Sequence, residues 1–96
     1  MSKKITVFPQ AEGFIRALAP EPRKRLVQAI KALPAGNTKF LEGTLSGYSR
    51  LRVGGFRVIY VDSMKKGVRT FDCVFAERRP IVYEMFEQIL SEQALE

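Results

Sequence analysis

The stretch from Tyr48 to Tyr60 constrains this chain more than any other. It reads Tyr48-Ser49-Arg50-Leu51-Arg52-Val53-Gly54-Gly55-Phe56-Arg57-Val58-Ile59-Tyr60. Two runs rich in β-branched and aromatic residues flank a Gly-Gly pair, which is the pattern of a tight β-hairpin. Both glycines can take positive φ, as a type I′ turn requires. A two-residue turn also fixes the register: Val53 pairs with Phe56, Arg52 with Arg57 and Leu51 with Val58. Leu51, Val53, Phe56 and Val58 then share one face, which reads as core. Tyr48, Arg50, Arg52 and Arg57 share the other. A lone hairpin is marginal in water, so the rest of the chain must supply further strands and a covering layer.

The flanking sequence supplies both. Ile5 to Phe8 reads as a short first strand stopped by Pro9. Phe14, Ile15 and Leu18 fall at helical spacing before Pro20 and Pro22 break the chain. A second helix is expected from near Glu21, with Pro22 tolerated in its first turn. Its apolar stripe is Leu26, Val27, Ile30 and Leu33, and Leu33 to Asn37 ends it. The hairpin strands, Tyr48–Val53 and Phe56–Asp62, are followed by a turn at Lys65-Lys66-Gly67 and a third strand over Val68–Ala76. A last helix is expected from about Pro80 to Gln93, with Val82, Met85, Phe86, Ile89 and Leu90 facing inward. The order β-α-α-β-β-β-α predicts one α+β domain over residues 1–96. It comprises an antiparallel sheet with an N-terminal helical hairpin and a C-terminal helix, the helices lying mainly on one face.

Composition narrows the chemistry. The 96 residues carry 16 Lys and Arg against 10 Asp and Glu, a net charge of +6 that favours a polyanion or an acidic protein partner. The chain has one cysteine and no histidine, so it cannot form an intramolecular disulfide framework, a Cys/His zinc site or an imidazole base. Cys73 alternates with Phe71 and Phe75, as a buried structural thiol would. Asp62 and Asp72 lack a second carboxylate at metal spacing, so no metal and no cofactor are expected. No run approaches the length of a membrane span and no signal core opens the sequence, so the expected location is the cytoplasm, away from membranes.

The arginines are the candidates for function. Like charges set opposite one another across two strands cost a few tenths to about 1 kcal/mol against a neutral pair. One explanation is a solvated face with the arginine stems lying along the sheet. No acid occupies these hairpin positions, however, and guanidinium groups concentrated beside aromatic rings suit two-pronged contacts with phosphate. Arg23 and Lys24, on the outer side of the second helix, are either solvated or a further contact for a phosphate-bearing polyanion.

The run from Leu41 to Tyr60 resembles the signature of RelE/ParE toxins of type II toxin–antitoxin systems. Gly43, Gly47, Tyr48 and Arg50 to Tyr60 follow it, with Phe56 in place of the usual tyrosine. The later Glu77-Arg78-Arg79-Pro80-Ile81-Val82-Tyr83 is similar to the family's closing segment, with Glu77 where histidine is common. The resemblance implies a RelE-like fold and a metal-independent endoribonuclease that cuts messenger RNA in the ribosome by attack of a 2′-hydroxyl on the adjacent phosphate. By position, Arg57 matches the family's transition-state arginine, Arg50 and Arg52 the basic pair before it, Arg78 or Arg79 the late arginine, and Tyr83 the closing tyrosine. Arginine does not give up its proton at working pH, so Glu77 and Tyr83 are the titratable candidates. ParE-type members share this hairpin and instead poison DNA gyrase through a protein interface; a degenerate toxin would only bind its antitoxin. Each reading implies a cognate antitoxin, and such complexes commonly bind operator DNA through the antitoxin.

Overall fold

The structure, a computed structural model, describes residues 3–78 and 82–95, with only the backbone described at 82–85 and 93–95. The chain runs β1 (Lys3–Val7), α1 (Pro9–Arg16), α2 (Pro20–Lys31), β2 (Asn37–Phe40), β3 (Ser49–Val53), β4 (Phe56–Lys65), β5 (Val68–Arg78) and α3 (Val82–Leu95). A single 3-10 turn at Gly43–Leu45 joins β2 to β3. Each of the first two helices opens on a proline, whose fixed φ suits a first turn and whose missing N–H costs no helical bond there.

The strands form one sheet in the order β1-β5-β4-β3-β2. The hairpin register is the one expected: Val53 opposite Phe56, Arg52 opposite Arg57, Leu51 opposite Val58. Two features differ from expectation. A fifth strand, β2, pairs antiparallel with β3, and β1 lies parallel to β5, so the sheet is mixed rather than wholly antiparallel. Pairing of β1 with β5 is a long-range choice that no local pattern encodes.

The turns also differ in detail. Gly54 alone of the Gly-Gly pair has a positive φ, 57°, which is the φ pattern of a type II′ turn, not I′. The Lys66-Gly67 turn between β4 and β5 is the one with both central residues positive, at 51° and 78°.

Helices cover both faces. α1 and α2 pack Ala11, Ile15, Leu18, Leu26, Ile30 and Leu33 against Leu51, Val58, Tyr60, Phe71, Cys73 and Ala76. On the reverse face Phe86 of α3 joins Leu45, Ile59 and Phe75, with Tyr48, Ile89 and Leu90 around them. The expectation of helices mainly on one face is thereby corrected. A bulge in β5 explains it: Ile59 pairs with Phe75 but Tyr60 with Cys73, so Val74 is the extra residue. Val74 and Phe75 then both turn toward α3 and widen the apolar seat beneath it. Each side chain fully buried this way contributes about 1.5–3 kcal/mol.

Two polar braces tie the layers together. Lys3 donates from Nζ to the carbonyls of Lys31, at 2.7 Å, and of Leu33, closing the C-terminal end of α2. The Gln10 amide accepts from the Ala76 N–H at 2.7 Å and donates to the Ala76 carbonyl at 2.9 Å. That pair continues the β5 ladder past the end of β1 and fixes the strand just before Glu77.

Candidate functional site

Cross-strand register assembles the site. Asn37 pairs with Arg52, Arg52 with Arg57, and Arg57 with Glu77. Direct partners point to the same side of a sheet, so these four form one row across β2, β3, β4 and β5, on the α3 face. The next row on that face pairs Lys39 with Arg50, Arg50 with Ile59, and Ile59 with Phe75. Polar cationic positions at the β2–β3 side thus grade into the apolar seat of α3.

The three hairpin arginines have different environments. Arg52 is exposed. Arg50 is half-buried and donates from a terminal nitrogen to Asn37 Oδ1 at 3.1 Å. Its Nε is buried without an acceptor among the described residues. An N–H left so costs about 1–3 kcal/mol. Arg57 is only 3% exposed, and its guanidinium donates to the carbonyls of Gly54 at 3.0 Å and Phe56 at 2.9 Å. It therefore braces the turn as well as lining the row.

Glu77 is half-buried, and its Oε1 accepts the Arg78 backbone N–H at 3.0 Å. A carboxylate thus stands directly across from Arg57, although no acid occurs in the hairpin sequence itself. Arg78 lies elsewhere. It pairs in register with Phe56, and its guanidinium sits over the rings of Phe56 and Phe14 at 5.4 and 5.8 Å, on the helical-hairpin side. Arg79 and the side chain of Tyr83 lie outside the described residues, and the Tyr83 backbone belongs to α3. Arg23 and Lys24 are exposed on α2, on the far side of the sheet from Arg52, and with Pro20, Val27, Gln28 and Lys31 they line a shallow surface groove.

Sequence reading missed Asn37 and Lys39, which face the hairpin arginines from β2. The available signal was alternation: Asn37 and Lys39 polar, Thr38 and Phe40 facing the other way. Four residues without an apolar run gave it little weight. Two other carboxylates are accounted for locally. Asp62 takes two bonds from Arg69, at 3.1 and 2.7 Å, and Asp72 pairs with Lys65 at 2.9 Å. Burial, with the neighbouring Asp72 adding to it, pushes the Cys73 thiol up to about 12. It is an inert core group.

No protein-family model and no curated protein matches the sequence. Solved structures do match the fold. The toxin–antitoxin complex RelBE2 from Mycobacterium tuberculosis aligns with a TM-score of 0.68 at 18% identity, covering 82% of this chain and 100% of that one. The archaeal RelE–RelB complex from Pyrococcus horikoshii gives 0.62 at 21% identity over 82% and 97%. The YoeB/ParE toxin from Agrobacterium tumefaciens gives 0.58 at 18% identity over 80% and 99%. The chain has the fold of RelE/ParE toxins.

Proposed function

We propose that this chain, built on the RelE/ParE toxin fold, is the toxin of a toxin–antitoxin pair and a ribosome-dependent endoribonuclease of messenger RNA. The observation that carries the reading is the row Asn37–Arg52–Arg57–Glu77, which sets cations and one carboxylate side by side on a single sheet face. The nucleophile comes from the substrate, the 2′-hydroxyl next to the scissile phosphate, so the protein need only orient, neutralise charge and move protons. Exposed Arg52 and the half-buried guanidinium of Arg50 bind the phosphate oxygens. Arg57, held by the turn carbonyls, adds fixed positive charge behind them. Glu77 takes the 2′-hydroxyl proton, and Tyr83 remains the candidate for the proton to the leaving 5′-oxygen.

The solved RelBE2 and RelE–RelB structures are complexes of toxin and antitoxin. By that likeness, the partner here is an acidic or partly disordered antitoxin that folds on the basic surface and carries any operator-binding part. The cytoplasm, where messenger and ribosomes are, is the corresponding location.

One observation favours a second reading. Arg57 is 3% exposed and already bonded to two carbonyls, as expected of a residue that shapes a hairpin for protein contact. That fits a ParE-type gyrase poison. The test is purified protein with translating ribosomes and labelled messenger, run beside a gyrase supercoiling assay. Cleavage within A-site codons that Arg52→Ala and Glu77→Gln each suppress supports the ribonuclease. Intact messenger with inhibited gyrase replaces it by the second reading, and neither activity leaves a toxin that only binds its antitoxin.

A further inference from the structure

The tip of the β3–β4 hairpin carries cations on both sides, and only one side belongs to the row described above. Arg52 and Arg57 rise on the α3 side. On the helical-hairpin side, the Arg78 guanidinium lies over Phe56 and Phe14, whose rings meet edge to face at 5.8 Å. Arg25 reaches the same tip from α2: its terminal nitrogen is 3.9 Å from where a Cβ on Gly54 would stand. Both arginines are exposed. Neither is ion-paired among the described residues, where the pairs are Arg16–Glu12, Lys65–Asp72 and Arg69–Asp62. Glu21, one turn before Arg25 on α2, is placed to neutralise it and does not.

A guanidinium resting on aromatic rings gives up water from its flat faces and keeps its N–H edges outward, so little freedom is lost when a phosphate docks. Gly54 sets no side chain between Arg25 and the turn. The geometry points to a second phosphate-binding station, made by Arg25 and Arg78, across which a single-stranded RNA passes as it leaves the arginine row. This rests on the RNA reading of that row. The strand then crosses the hairpin tip with phosphates held on both faces of the sheet, and Arg78 is a binding residue apart from the reacting phosphate.

The test is fluorescence anisotropy of a labelled single-stranded RNA oligonucleotide, titrated at several salt concentrations. Arg25→Gln combined with Arg78→Gln is expected to weaken binding about tenfold and to flatten the log–log salt slope by about 1.4, two contacts at about 0.7 each. Lys4→Gln with Lys66→Gln removes the same charge away from the tip and is expected to leave the slope unchanged. Arg78→Lys keeps the charge without the planar fork, and is expected to restore the slope but not the full affinity. An unchanged slope in the tip variant, or an equal loss in the control, overturns the station. Wild-type protein that binds poly-glutamate in place of RNA, with the tip variant losing that binding, overturns it in favour of an acidic protein. RNA binding with the expected slopes but intact messenger on ribosomes keeps the station and removes the ribonuclease reading.

Discussion

Arg57 of β4 and Glu77 of β5 are direct cross-strand partners, and Arg57 is at once the partner of Arg52 on its other side. An arginine between a like charge and an opposite one is held in an electrostatic compromise. The like-charge cost of the Arg52–Arg57 pair is offset by a carboxylate one strand further on. The same relationship gives the proposed reaction its base.

Arg52 and Arg57 should therefore separate under mutation. Arg52 is exposed, so Arg52→Ala should leave stability within about 0.5 kcal/mol of the wild type while cleavage falls at least tenfold. Arg57→Ala removes two bonds to turn carbonyls and should cost about 2–3 kcal/mol in urea unfolding. Equal stability losses in the two would contradict the brace assigned to Arg57.

Glu77→Gln keeps an acceptor for the Arg78 N–H and removes only the charge and the proton-accepting capacity. A hundredfold or larger loss of cleavage, in line with the usual ~10²–10⁴ contribution of a general base, is expected in single-turnover assays on ribosomes. A variant that cleaves at the wild-type rate would remove Glu77 from the chemistry.

Gln10 tests the support under that strand. Its amide satisfies both main-chain groups of Ala76, the residue before Glu77. Gln10→Leu should destabilise the fold by about 1–3 kcal/mol, the cost of leaving such groups unpaired. Hydrogen exchange at the Ala76 amide should accelerate beyond what that global loss accounts for. Unchanged protection there would mean that β5 does not depend on the brace.

The legible parts of this fold were those set by neighbours in sequence. The hairpin register followed from the spacing around Gly54-Gly55, and the apolar stripe of α2 from its period. Leu51, Val58 and Phe86 are buried as their patterns required. What escaped was set at long range: the parallel pairing of β1 with β5, the short edge strand β2 and the β5 bulge that seats α3 on the reverse face. The site divided in the same way. Arg50, Arg52 and Arg57 could be grouped on one face from the hairpin alone. Glu77 opposite Arg57, and Arg78 turned toward Phe14 and Phe56, depend on the β4–β5 register beyond the bulge.

Alkaline stability offers a last test, independent of function. The Cys73 thiol is raised by burial, and secondarily by Asp72, from 9.0 to about 12. Burial likewise raises Tyr60 above 10.0, opposed by hydrogen bonds from Thr38 and Ser49. A raised folded pKa on a group that ionises to an anion means the folded chain holds its proton longer than the unfolded chain. Stability from Cys73 is thus fully present below pH 9 and is lost as pH climbs from 9 toward 12. The slope approaches about 1.4 kcal/mol per pH unit above the unfolded pKa, and Tyr60 steepens it further above pH 10. Cys73→Ala should begin about 1–2 kcal/mol less stable at neutral pH, from the small cavity it leaves. Its stability should then fall less steeply than that of the wild type, so that the two urea-unfolding curves converge by about pH 10.5. Parallel curves would mean that the thiol gains its proton as easily in the unfolded chain as in the core, and that Cys73 is less shielded than its 0% exposure implies.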